Sequence, residues 1–140
     1  MKKIILLAVL VLVQLVAVSR TTVAQTEKRL NSSPASFRAF FAKFIRAVEK
    51  SDKTAVASMT RFPFKYGFDA GDEGTMSKTQ FIKRFRDLFG DAPRQFMTEK
   101  NPLFSRGDGG SYIISTEDAT HLIFIKSGSV YKFTAYMSEP

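Results

Sequence analysis

Phe37, Phe40, Phe41, Phe44, Ile45 and Val48 recur at the spacing i, i+3, i+4, i+7, i+8, i+11. That spacing places them on one face of an amphipathic helix. Arg38, Lys43, Arg46, Glu49 and Lys50 take its other side, and Ser33 or Ser36 stands where a cap is needed. Ser51-Asp52 interrupts the pattern and caps a shorter helix predicted over Lys53 to Thr60, with Val56 and Met59 inward. The period then changes to two. Phe62, Phe64, Tyr66 and Phe68 share one parity, which predicts a strand. Pro63 has no N–H for a ladder, so that strand is expected at a sheet edge, with its aromatics on Phe41, Phe44 and Phe85.

Asp69-Ala70-Gly71-Asp72-Glu73-Gly74 reads as a turn. Ser77-Lys78-Thr79-Gln80 is a capping box, opening a third helix with Phe81, Ile82, Phe85, Leu88 and Phe89 inward. Gly90 and Pro93 end it. Its outer side carries Lys78, Lys83, Arg84 and Arg86, with Arg94 after the stop; such a run is ordinarily a solvated face. Short strands are predicted over Gln95 to Glu99 and Leu103 to Arg106. A meander follows over Ser111 to Thr116, Thr120 to Lys126 and Val130 to Ser138, with joins of hairpin length. No repeat is visible. The expectation is an α+β domain: three N-terminal helices packed on a mainly antiparallel sheet, with an early edge strand between helices two and three.

The meander departs from a simple one-sided sheet. Leu122 and Phe124 share one parity, yet His121, Ile123 and Ile125 on the other are also largely apolar. In the last strand Tyr131, Phe133, Ala135 and Met137 oppose Val130, Lys132, Thr134 and Tyr136. An antiparallel sheet with helices on one side usually turns a polar face outward. Either the sheet encloses a pocket or another subunit covers it; a homodimer through the sheet is expected.

Composition narrows the setting. Met1-Lys2-Lys3, the apolar run Ile4 to Val18 and the small residues Thr22-Val23-Ala24 have the layout of a bacterial-type secretory signal. The run is shorter than the ~20 residues a spanning helix needs. Residues 1–24 are therefore read as a signal peptide cleaved before Gln25, 25–36 as a disordered leader, and 37–140 as one domain. The protein is then exported, periplasmic or extracellular, and meets a membrane only through the signal. With no Cys, disulfide, thiolate and lipid attachment at a cysteine are excluded. The formal charge is +8; removing Lys2, Lys3 and Arg20 leaves 18 basic residues against 13 acids, about +5. That mild surplus in an exported protein does not point to nucleic acid.

Two short motifs carry little. The Asp69–Gly74 turn lacks the full ligand series of a calcium loop. Arg106-Gly107-Asp108 is three residues in a glycine-rich turn. No metal or cofactor is expected.

Taken together, the Phe-rich first helix ending near Val48-Glu49-Lys50-Ser51-Asp52, the short second helix, the Phe62-Pro63-Phe64 strand, the Ser77-Lys78-Thr79-Gln80-Phe81 opening and the strands at Tyr112-Ile113-Ile114 and His121-Leu122-Ile123-Phe124 resemble the nuclear transport factor two-like superfamily. This is the cone-shaped α+β fold of SnoaL-like proteins, and the likeness is to small secreted bacterial members of unknown function. The resemblance covers nearly all of the mature chain and implies a curved sheet. It does not by itself imply an activity. The family's enzymes place an acid or a His–Asp pair inside the cone. Here His121 is the sole histidine, and with Asp118 it makes the only His–Asp candidate; a strand histidine beside Ile123 is the plainer reading. Tyr66, Tyr112 and Tyr131 offer hydroxyls, and with Phe41 they are the expected walls of a ligand pocket. Two functions stay open. One is a non-catalytic exported domain binding a small apolar ligand or a protein partner. The other is a SnoaL-like isomerase or hydrolyase acting through His121 or Asp118.

Overall fold

The computed structural model describes residues 28–68, 71–90, 102–116 and 119–138. The signal at 1–24, the strand expected over 95–99 and Asp118 lie outside them.

Helix α1 spans Ala35–Glu49 and buries Phe37, Phe41, Phe44, Ala47 and Val48 on the face that the spacing indicates. Its start differs from expectation. Pro34, at φ −56, leads into the helix without a side-chain cap, and its carbonyl accepts from the Phe37 and Arg38 N–H groups. The Ser36 hydroxyl is engaged elsewhere. The residues before it also depart from the disordered leader read over 25–36. β1 (Lys28–Arg29) pairs antiparallel with β4 (Leu103–Arg106), a 3-10 turn covers Leu30–Ser32, and Arg38 donates to the Asn31 and Ser33 carbonyls. Backbone pairing holds this polar stretch without an apolar pattern.

Asp52 caps α2 (Lys53–Ser58) by accepting from the Ala55 N–H. The helix stops two residues before the expected end because Thr60 opens β2 (Thr60–Phe68). β2 is not an edge strand. It pairs parallel with β7 (Val130–Ser138) on one side and antiparallel with β3 (Asp72–Met76) on the other. Its register to β7 jumps between Thr60 and Lys65, so Pro63 sits in the stretch that leaves the ladder, where a missing N–H costs nothing. The true edge is β3, which the sequence presents as part of a turn. Only Met76 of its residues is buried, and a polar edge strand shows no alternation.

The capping box at Ser77 forms with both reciprocal bonds. The helix it opens breaks at Arg84 into α3 (Lys78–Lys83) and α4 (Phe85–Phe89), giving four helices among the described residues instead of three. Gly90, at φ 62, ends α4 in a conformation that side chains disfavour. Strands β5 (Tyr112–Ser115) and β6 (Thr120–Ser127) complete a seven-stranded mixed sheet ordered β1-β4-β5-β6-β7-β2-β3.

The helices cover one face of this sheet, and phenylalanine fills the space between. Phe37, Phe44, Phe64, Phe81, Phe124 and Phe133 are fully buried. Ring centroids lie 4.9 Å apart for Phe44–Phe133, 4.7 Å for Phe64–Phe133 and 5.0 Å for Phe64–Phe81. The β2 aromatics thus pair ring to ring with Phe81, Phe133 and Tyr136, within the same core cluster that holds the expected Phe41, Phe44 and Phe85. Burying each ring contributes roughly 2–3 kcal/mol, which answers the absence of disulfides.

The register of β6 and β7 shifts between Ile123 and Phe124, with Phe124 opposite Phe133 but Ile123 opposite Ala135. This bulge reverses the parity expected beyond Thr134. Ala135 and Met137 pass to the outer face with Ile123 and His121. Tyr136 turns inward, 5.5 Å from Phe68 and 6.4 Å from Phe89.

Candidate functional site

The aromatics expected to wall an internal pocket do not gather in one place. Phe41 is core, 6.1 Å from Phe37 and edge-on to Phe124 at 5.8 Å. Tyr66 sits half-buried at the far end of β2, opposite Gly74, with Arg84 5.0 Å above its ring. Arg84 also donates to Asp87 at 2.9 Å and lies 3.9 Å from Asp72. Its hydrogen bonds to Asp87 and then Tyr66 hold the guanidinium above its usual pKa, so this end is a charged clasp between β2, β3 and the α3–α4 junction. Sequence pattern does not reveal Arg84 as the partner of Tyr66; it is visible there only as one cation on a basic helix face.

Tyr112 and Tyr131 do come together, at the opposite end of the sheet. Their ring centroids are 5.2 Å apart and perpendicular, and both rings are buried. Tyr112 stacks on Phe37 at 4.7 Å, and the Tyr131 hydroxyl lies 2.8 Å from Ser36 Oγ. Burial pushes the Tyr112 hydroxyl up. Hydrogen bonds from Tyr131 and Arg106, with the charges of Arg106 and Lys126, outweigh that and leave it below its ordinary value.

His121 lies on the outer face, half-buried, paired with Ser115 in register. Its Nδ1 is 2.7 Å from Ser115 Oγ, a distance that cross-strand neighbours reach without any catalytic purpose. Among the described residues no three His, Cys, Asp or Glu groups converge as metal ligands would.

Among the described residues, an open concavity lies on the outer face. A depression of about 540 Å³ is bordered by Ile123, Ile125, Ala135 and Met137, with Arg61, Pro63 and Lys65 on the β2 side and Asp108 and Ser111 on the other. A second, of about 500 Å³, continues past Arg61 and Ile125 to Lys132 and Val130, and Val130 is 52% exposed. Met137 lies where a side chain on Gly67 would meet it, 2.9 Å from its sulfur. Ile113, opposite Ile123 in register, extends the apolar strip. Positive charge lines one border of this strip and a carboxylate the other.

No protein-family model matches the sequence, and no curated protein matches it. Among solved structures, the chain is similar to the 1.8 Å structure of Aln2 from a Streptomyces species, with 10% identity, a TM-score of 0.47, and 74% of this chain and 87% of that one covered. A likeness this loose supports no assignment of ligand or activity.

Proposed function

We propose that this protein is an exported, non-catalytic binding domain of the nuclear transport factor two-like kind, whose outer sheet face takes a second copy of the same chain. The observation that carries the reading is the contrast across the sheet: fully buried phenylalanines on the helix side, an open apolar strip on the other. The sequence leads one to expect a pocket for a small apolar ligand on the helix side, yet Phe41, Tyr112 and Tyr131 are packed as core there.

The strip suits a two-fold partner. Arg61 and Lys65 stand on one border and Asp108 on the other. A rotation that lays Ile123 and Ile125 on their counterparts brings each Asp108 toward the partner's cations. A stable dimer buries roughly 800 Å² per partner, which requires most of this face. Isomerase or hydrolyase chemistry through His121 would need an enclosed site around it; His121 is on the open face.

Light scattering on the purified protein tests the reading. The expected mass is that of two chains, falling to one in Ile125→Asp. A wild-type protein that stays monomeric at high concentration overturns it. Export is tested separately by mass spectrometry of protein recovered from a bacterial periplasm, where the N-terminus is expected at Gln25; retention of residues 1–24 refutes the cleavage.

A further inference from the structure

We infer that Ser36, Arg106, Tyr112, Lys126 and Tyr131 form a binding site for a small oxyanion of the phosphate or carboxylate class. The site is at the sheet end nearest the start of α1 and does not depend on the dimer.

Strand register builds it. Arg106 of β4 is opposite Tyr112 of β5, and Lys126 of β6 is opposite Tyr131 of β7. Each cation therefore lies over the tyrosine beside it. The Arg106 guanidinium carbon is 3.9 Å from the Tyr112 ring centre, and Lys126 Nζ is 5.4 Å from that of Tyr131. The guanidinium also rests over Gly110, where a side chain would come within 3.4 Å of it. Both cations are exposed. The carboxylates of Asp72 and Asp87 are held by Arg84 at the other end of the sheet, and the neighbouring Asp108 borders the outer depression. Two like charges held on adjoining rings repel one another, and an anion between them converts that cost into attraction.

The hydroxyls supply the second half. The Tyr131 hydroxyl is 2.8 Å from Ser36 Oγ, and the Tyr112 ring stands edge-on to that of Tyr131 at 5.2 Å. The Ser36–Tyr131 bond uses one of those two hydroxyl protons and leaves the other to donate. Tyr112 brings a third hydroxyl to the same end of the sheet. Arg106 and Lys126 add several N–H donors. Many donors, two positive charges and no acid among these five side chains describe an anion site, not a metal site.

The test uses inorganic phosphate at constant ionic strength, with chloride as the balancing salt, read as the thermal midpoint of the full chain. The midpoint is expected to rise saturably with phosphate. Arg106→Gln and Lys126→Gln should each weaken the apparent affinity about tenfold, while Lys43→Gln, exposed on α1, should leave it unchanged. Sedimentation with phosphatidylglycerol vesicles distinguishes the source of the anion. Binding to vesicles but not to free phosphate, lost in Arg106→Gln, assigns a lipid headgroup to the site; binding to free phosphate assigns a soluble ligand. No response to either probe, or an equal response in Arg106→Gln and Lys126→Gln, overturns the site.

Discussion

The two faces of the β5–β6–β7 meander are built from alternate residues of the same strands, yet they follow different rules. On the helix side Ile114, Leu122, Phe124, Tyr131 and Phe133 meet ring after ring and are buried. On the outer side Ile113, Ile123, Ile125 and Met137 are only half-covered, and cations flank them. The first face is a finished interior, where removing volume leaves a hole because neighbours cannot collapse. The second is an apolar surface still exposed to water, where the same chemistry becomes a means of association. Burial by the chain's own helices, not residue type, separates a core position from an open apolar position here.

The largest effect should come from the finished face. Phe133 touches Phe44, Phe64, Phe89 and Phe124, so Phe133→Ala is expected to cost about 3–5 kcal/mol in urea unfolding. A loss below about 1 kcal/mol would mean that the interior is loosely packed and the contrast is false. Ile125→Asp on the opposite face should behave inversely, changing monomer stability by about 1 kcal/mol or less while abolishing the proposed dimer. If it unfolds the chain instead, the outer face is core after all.

Smaller effects sharpen how the helix layer is seated. Ser77→Ala removes the hydroxyl that accepts from the Gln80 N–H and should cost about 1 kcal/mol, with the dimer intact. Smallest is a pH effect at the sheet end. Because the Tyr112 hydroxyl is held below its ordinary 10.0, the folded state releases this proton before the unfolded state does. Stability from its ionised form is complete above about pH 10 and is lost as pH falls through the lowered folded value. Urea midpoints should therefore rise toward about pH 10 relative to those of Tyr112→Phe. A difference that is flat over this range would contradict the Arg106 and Lys126 environment.

Much of the helical layer is legible in the sequence because amphipathic spacing and caps are local. Phe37 to Val48, Asp52 and the Ser77–Gln80 box each declare themselves within a few residues. The sheet is legible in part. Its order is not, because strand pairing is settled by distant partners: β2 is interior since β3, a polar segment, completes the edge beside it. The apolar outer face can be read at Ile123 and Ile125, but alternation places Ala135 and Met137 on the wrong side. One bulge opposite Ile123 reverses the parity, and no residue in the Thr134-Ala135 stretch announces it. The tyrosine cluster is half legible. Tyr112 and Tyr131 stand out as amphipathic aromatics, whereas Arg106 is hidden in a turn motif and Ser36 in a capping position. Register alone brings them together.

The contrast between the two faces is tested most directly by isotope-filtered NMR on a dimer mixed from labelled and unlabelled chains. Cross-molecule contacts are expected at the methyl groups of Ile113, Ile123, Ile125 and Met137, and none at Ile114 or Leu122. Their absence from the outer-face methyls, or their presence on the helix side, would contradict the account.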